Sequence, residues 1–408
     1  MRISGHTGHR DILLFKMQAK RINLQTIALL LLIAFVLIQG IFFIRIFPVY
    51  HIPDEEQYVS NLITLNRGQV PYFTAKSHSG HPILYELILY PFYKTLPQAF
   101  FFTVARFISL TFFMLALILA FFIAKHLFPD SPYLPVFIVG LIAFNPQVVL
   151  IFSSVNSDSL LMMLITAFVL MAVKMRDKRL IIYDYAYLTL VLLAGFLTKE
   201  RFVIILPALL YFTGYKALNF FRQKRKSGRL LYFGVAASVL SSLLFFAFIS
   251  VYLSREIGLF NQASSLHLSG LFRIFSQLWW SPFGLLQYAL PVWIYLVLAL
   301  IVAVALAGLI WHFLSRETSS TANNWLFVFI AATLMMGASI LIYEIKTGTG
   351  QGRHAFAIIV PVYVLFAAGL DSLGKKLKIQ KVFLPAVLSV LFIVNLYSLL
   401  FGTGWLVG

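Results

Sequence analysis

The residues best suited to chemistry begin with a short acidic segment, HIPDEEQY, in which Asp54 follows a proline and precedes Glu55. A carboxylate held beside an apolar surface can have a raised pKa and act as a general base. The same acids would also suit the first turn of a helix, where the helix dipole favours negative charge. Spacing alone therefore leaves Asp54 as a base or a helix-terminal acid. Glu55 is a capping, structural or substrate-contacting neighbour.

Histidines on either side of this acidic segment offer a second kind of chemistry. His51 precedes it, and His78 and His81 follow in SHSGHP. Imidazole and carboxylate together suit zinc or manganese, so a divalent metal held with Asp54 is one alternative. No HxxxH or HExxH spacing supports a metal site. No cofactor is therefore assigned with certainty, and a divalent metal stays an alternative. We expect His81 to orient a substrate hydroxyl or phosphate.

Three later connections contain charged or amide side chains that would suit anion binding. They lie in SSVNSDS, TKER and YEIKTGTGQGRH, and the candidate substrate-binding residues there are Asn156, Asp158, Lys199, Arg201, Lys346, Arg353 and His354. The GTGQGR element is not a Walker loop, because no GK[ST] follows and no strand precedes it. Arg353 instead stands at the start of an apolar helix, where unsatisfied N–H groups and an arginine fork favour phosphate. Alternatively, the glycines form a flexible turn and Arg353 extends to lipid headgroups.

The elements that must position these residues are membrane-spanning helices. The chain is 61% hydrophobic and 11% charged, with a mean hydropathy of +0.90, and about 20 apolar residues suffice to cross a bilayer. We predict an all-α polytopic membrane protein with a single integral membrane domain over residues 1–408. The eleven predicted spans are 26–46, 99–124, 133–150, 157–174, 181–198, 200–217, 230–253, 287–312, 323–343, 354–370 and 381–401. Residues 82–97 are predicted to form a short interfacial helix.

The distribution of basic residues predicts the orientation. Most of the 32 Lys and Arg residues fall in the N-terminal segment 1–25 and in alternate later connections, which the positive-inside rule places in the cytoplasm. The long loops 47–98 and 254–286 are then extracytoplasmic, as are all the candidate site residues. The net charge of +18 thus reflects the orientation of the chain in the membrane, and we expect no nucleic-acid partner. The absence of cysteine excludes disulfides and cysteine nucleophiles.

Location narrows the possible donors, because nucleotides are cytoplasmic. An outward-facing enzyme that handles phosphates needs a donor embedded in the membrane, and a polyprenyl phosphate carrying a sugar meets this need. Asp54 would accept a proton from the acceptor, which could be a lipid, a glycan or a protein, and Arg353 would stabilise the departing phosphate. Two alternatives stay open: an oligosaccharide ligase or polymerase that uses a lipid diphosphate, and a flippase or transporter.

The order of these segments resembles the GT-C glycosyltransferases, in particular protein O-mannosyltransferases and aminoarabinose transferases of lipid A. The resemblance rests on the Asp-Glu pair after the first helix and on His81-Pro82, where the family has HPP or KPP. It also rests on three segments: NPQVVLIFSSVNSDSLLMML, GFLTKERFVIILPALL and GQGRHAFAIIVPVYVLFAAGL. The resemblance implies that Asp54 is the base, that the donor is a polyprenyl-phosphate sugar and that the anomeric carbon is inverted. It also implies an enzyme of the cell envelope, which we expect in the plasma membrane.

Overall fold

The described part of the chain folds into helices, as seen in a computed structural model. The model describes residues 7–52, 54–70, 82–176, 178, 180–222, 274, 290–315, 320–347 and 351–404. The α-helices are α1 (Thr7–Ile46), α2 (Glu55–Asn66), α3 (Leu84–Thr95), α4 (Gln98–Leu127), α5 (Leu134–Ala143), α6 (Pro146–Phe152), α7 (Asp158–Met175), α8 (Ile182–Thr198), α9 (Leu206–Arg222), α10 (Val292–Ser315), α11 (Ser320–Thr347), α12 (Ile359–Lys376) and α13 (Gln380–Gly404). Two 3-10 helices, Glu200–Ile205 and Gly352–Ile358, precede α9 and α12.

Seven helices in the described part of the chain are long and apolar enough to cross a membrane. In the first of these, Leu24–Ile46, only 33% of the apolar window is buried. Large apolar side chains such as Leu30, Leu31 and Ile38 are therefore exposed, and a lipid environment satisfies them where water would not. The chain is a polytopic α-helical integral membrane protein, as its composition predicts.

The predicted set of eleven spans differs from the structure at three places. The span predicted over 133–150 is a bent pair, α5 and α6, whose axes differ by 69°. The bend is explained by Asn145, whose side chain caps α6, and by Pro146, which starts that helix because it has no N–H to donate. Counting the bent pair as one span raises the number of spans to 8.

The other two differences concern length. The predicted span 181–198 is an apolar helix of 17 residues, and the span predicted over 200–217 starts as a 3-10 helix before α9. The predicted span 230–253 lies outside the described residues. The segment 82–97 contains a separate helix of 12 residues, α3, in agreement with the predicted short helix.

Glycine permits one close helix crossing that shapes the bundle. A Cβ atom at Gly308 of α10 would lie 2.1 Å from the carbonyl oxygen of Gly369 of α12, so neither position accepts a larger residue without moving backbone. Small residues of this kind let membrane helices approach closely. The crossing anchors α12, whose preceding 3-10 helix contains Arg353.

Candidate functional site

Asp54 starts α2, but its side chain does not cap that helix. Its backbone carbonyl accepts hydrogen bonds from the N–H groups of Gln57 and Tyr58, at 3.1 and 3.2 Å, while its carboxylate makes no capping bond. The residue adopts φ 75°, in the left-handed region that aspartate tolerates better than most residues. The carboxylate is therefore available to a partner outside α2. Asp54 is therefore not a simple helix-terminal acid.

Glu55 lies on the opposite side of this turn, in a buried ion pair with Arg106 of α4. Arg106 donates from Nε and Nη2 to the two carboxylate oxygens, both at 2.8 Å, and also to the carbonyls of Phe47 and Pro48. Glu55 additionally accepts from the backbone N–H of Val155 at 3.1 Å. This pair ties the end of α1 and the start of α2 to α4. Both Glu55 oxygens are occupied by protein donors, which is the arrangement of a structural residue.

Arg353 is the partner of the Asp54 carboxylate. Its Nη2 donates to Asp54 Oδ1 at 3.1 Å, and its Nη1 lies 3.1 Å from Oδ2. The second contact is close enough for an ion pair, but Nη1 lacks the geometry of a hydrogen bond to any described group. Nε donates to the side chain of Gln351. The guanidinium has five N–H donors, so part of it remains available to a ligand.

A second ion pair, more deeply buried than the Asp54–Arg353 pair, joins Lys199 to Asp158. Lys199 follows the end of α8, and its Nζ lies 2.6 Å from Asp158 Oδ1, with both side chains buried. Asn156 holds the start of α7, because its Oδ1 accepts from the backbone N–H of Asp158 at 2.8 Å. The charges of Arg201 and Arg353 also act on the Asp158 carboxylate, which places the two ion pairs in one cluster.

Arg201 and His354 complete this cluster. Arg201 donates to Nδ1 of the His354 ring. Since arginine only donates, Nδ1 is the accepting nitrogen and the imidazole is neutral. Three cations, those of Lys199, Arg201 and Arg353, thus face two carboxylates. These cations can contact an anionic ligand.

Tyr58 stands at the centre of the cluster, although the sequence analysis did not select it. It is buried, and its hydroxyl lies 2.6 Å from Ser157 Oγ and donates to Asn156 Oδ1 at 3.4 Å. Burial raises the pKa of the Tyr58 hydroxyl well above its usual range, and nearby carboxylates act in the same direction. Those carboxylates belong to Asp158, Asp54 and Glu86. Tyr58 therefore keeps its proton and acts as a neutral donor.

Glu86, on α3, is the second residue that the sequence analysis missed. It is 1% exposed, and its Oε1 accepts from Asn61 Nδ2 at 2.7 Å. Burial raises the pKa of the Glu86 carboxyl to about 7, against the opposing effects of the Asn61 hydrogen bond and the Lys199 charge. A single acid inside HPILYELILYPFYKTL is the signal that could have selected it.

The structure does not describe every predicted site residue. His81 and His78 lie outside the described residues, as does the side chain of Lys346, although position 346 belongs to the last turn of α11. His51 is exposed and lies 3.4 Å, through Nδ1, from the carbonyl oxygen of Val49. Within the described ranges, no group of three or more His, Asp or Glu residues could hold a metal ion.

The cluster lies at one end of the first span. Arg106 binds the carbonyl of Pro48, just after the end of α1. At the other end, Gln25 Nε2 donates to the carbonyl of Pro132 at 2.9 Å. The span Leu24–Ile46 has 23 residues, which corresponds to about 35 Å of helix. The candidate site and the connection before α5 therefore lie at opposite ends of the first span.

No protein-family model matches the sequence, and no curated protein matches it. The function is therefore inferred from the residues of the candidate site.

Proposed function

We propose that this chain is a membrane glycosyltransferase of the GT-C type, which transfers a sugar from a polyprenyl-phosphate donor to an acceptor on the extracytoplasmic side. The observation that carries the proposal is the pairing of Asp54 with Arg353. It sets a partly exposed carboxylate, whose side chain is 29% accessible, against an arginine that is 5% accessible. A base and a phosphate-binding group in one site can act on the same anomeric carbon, the base on the attacking hydroxyl and the arginine on the departing phosphate.

The proposed reaction is a single displacement. The acceptor hydroxyl attacks the anomeric carbon and gives its proton to the Asp54 carboxylate. The bond between that carbon and the phosphate oxygen breaks, and polyprenyl phosphate leaves with the electron pair. Arg353 contacts the phosphate through the donors that Asp54 and Gln351 do not use, and Lys199 and Arg201 add positive charge. Inversion at the anomeric carbon follows from attack opposite the leaving group.

The site's position supports a lipid-borne donor. The cluster lies at an end of the first span, so a phosphate bound there can keep an isoprenoid tail among the helices. The positive-inside distribution favours the extracytoplasmic side for this end, and we propose the plasma membrane as the location of the protein. We propose eleven spans in total, and one of those beyond the spans described above is 230–253.

The experiment that tests the function uses the purified protein in lipid vesicles. Polyprenyl-phosphate and polyprenyl-diphosphate sugars are supplied with lipid, glycan and peptide acceptors, and release of the lipid phosphate is measured. Turnover with a monophosphate donor supports the proposal. Turnover confined to diphosphate-linked oligosaccharides would instead establish a ligase or polymerase.

Transport is a second candidate, favoured by the interrupted helices. The 69° bend between α5 and α6 and the 3-10 helix before α12 resemble the discontinuous spans on which transporters build their binding sites. Movement of a fluorescent polyprenyl-phosphate sugar across the vesicle bilayer, with no release of lipid phosphate, would favour transport over transfer.

A further inference from the structure

Asn156 keeps one hydrogen-bonding atom without a protein partner. Its side chain is fully buried, and its Oδ1 accepts from the backbone N–H of Asp158 and from Tyr58. These donors fix the orientation of the amide, because only the oxygen can accept. Nδ2 is therefore the remaining atom, and it makes no hydrogen bond to the described part of the chain.

Glu86 presents the complementary atom. Its Oε1 is occupied by Asn61, while Oε2 is buried and makes no hydrogen bond to any described residue. Tyr58 links the two side chains: it donates to Asn156, and the Glu86 charge acts on its hydroxyl. The residue before Glu86, Tyr85, packs edge-on against Tyr58 with ring centroids 5.3 Å apart. An unpaired donor and an unpaired acceptor therefore both lie beside Tyr58.

Buried polar atoms without partners are rare in folded proteins, since each loses its hydrogen bonds to water on folding. A hydroxyl group both donates and accepts, so neighbouring hydroxyls would satisfy this donor and this acceptor together. A phosphate would suit them poorly, because its oxygens cannot donate to Glu86 Oε2. The phosphate would instead bind the cations of the cluster.

We propose that Glu86 Oε2 and Asn156 Nδ2 form the subsite for hydroxyl groups of the donor's sugar, an inference that rests on the function proposed above. Both side chains are more deeply buried than Asp54. The sugar then extends inward from the Asp54–Arg353 pair, and the acceptor approaches from the exposed side of Asp54.

The test measures binding of short-chain polyprenyl-phosphate hexoses and pentoses, with sugar-free polyprenyl phosphate as the reference. For the sugar that binds best, removal of single hydroxyl groups is expected to weaken binding to the wild type about tenfold at one or two positions. Glu86→Gln keeps the acceptor for Asn61 but replaces Oε2 by a donor. It should weaken binding of the intact sugar about tenfold, lose the sensitivity to one deoxygenation and leave binding of the sugar-free lipid unchanged.

Thr166→Val is the control, because it alters a buried side chain on α7 whose hydroxyl donates to the carbonyl oxygen of Met162 in the same helix. It should bind every lipid as the wild type does. A wild type that binds a sugar donor but is insensitive to every single deoxygenation would overturn the subsite and leave the proposed function standing. Failure of every sugar-bearing lipid to bind would overturn the proposed function together with the subsite.

Discussion

Arg353 Nη2 lies 3.1 Å from Asp54 Oδ1, although 299 positions separate the two residues in the sequence. The contact joins the turn after α1 to the 3-10 helix before α12, so two segments far apart in the sequence meet at one site. Asp54 adopts a left-handed backbone conformation, and its carboxylate makes no capping bond to α2, which leaves it available for this contact. Sparsely populated backbone conformations of this kind are concentrated at functional sites.

Replacing Asp54 by asparagine tests its role as the base. Asparagine has the same shape and also tolerates φ 75°, so the backbone should be preserved. We expect turnover to fall by about 100- to 10,000-fold, the usual contribution of a positioned base. Thermal unfolding in detergent should fall less than for a fully buried ion pair, because the Asp54 side chain is 29% accessible, and polyprenyl phosphate should still bind. Turnover near the wild-type rate would remove Asp54 from this role.

Replacing Arg353 by alanine tests phosphate binding. The change removes a buried, charged donor, and we expect affinity for sugar-free polyprenyl phosphate to fall at least about thirtyfold. The affinity of Arg353→Lys should lie between those of the wild type and Arg353→Ala, since lysine keeps the charge but lacks the two-pronged guanidinium. Arg67→Ala is the control, because Arg67 is an exposed arginine at the end of α2. Equal effects of Arg353→Ala and Arg67→Ala would contradict a specific phosphate contact.

Replacing Glu55 by glutamine tests the structural role of its pair with Arg106. Breaking a buried ion pair by removing one charge costs about 3–5 kcal/mol, so the midpoint of thermal unfolding in detergent should fall clearly. Glu56→Gln, at the exposed neighbouring position, should leave the midpoint unchanged. A stable Glu55→Gln variant with impaired donor binding would instead support the predicted substrate contact of Glu55.

Much of the polar cluster could be selected from sequence, because charged residues at the ends of apolar helices are costly unless they have partners. Asp54, Lys199 and Arg353 stand out in this way, and alternation of loops predicts a common side. Their pairing could not be predicted, since it depends on how α2 and the 3-10 helix before α12 pack. Tyr58 and Glu86 were missed because each lies in an amphipathic helix, where a tyrosine or a single acid resembles an interfacial residue.

Helix breaks limited the prediction of the fold. Hydropathy averages over about 20 residues, so it merges α5 and α6 into one span despite the 69° bend. The dipeptide Asn145-Pro146 was the local signal, since asparagine caps a helix and proline begins one. The apolar pattern also does not distinguish a 3-10 helix from an α-helix, which explains the differing start of the span after Lys199.

The orientation of the chain can be tested by cysteine labelling, because the protein contains no cysteine. Gln69→Cys and Asp130→Cys introduce thiols at exposed positions near opposite ends of the first span. We expect a membrane-impermeant maleimide to label position 69 in intact cells. Position 130 should be labelled only after permeabilisation. The reverse pattern would place the candidate site in the cytoplasm and remove the argument for a lipid-borne donor.

The buried carboxyl of Glu86 should make stability depend on pH. Burial raises its pKa to about 7 in the folded chain, from 4.5 for a glutamate in water. The folded state therefore binds the proton more tightly than the unfolded state does. Its contribution to stability is full below pH 4.5 and is lost as the pH rises to about 7, a loss on the order of 3 kcal/mol.

Glu86→Gln removes this titration and mimics the protonated acid. The wild-type midpoint of thermal unfolding should fall between pH 5 and pH 8 relative to that of the variant, so that the variant is the more stable protein at pH 8. Asp184→Asn is the control, because Asp184 is an acid on α8 that pairs with the exposed Lys178 at 3.3 Å. Identical pH profiles for the wild type and Glu86→Gln would mean that Glu86 stays ionised in the folded protein.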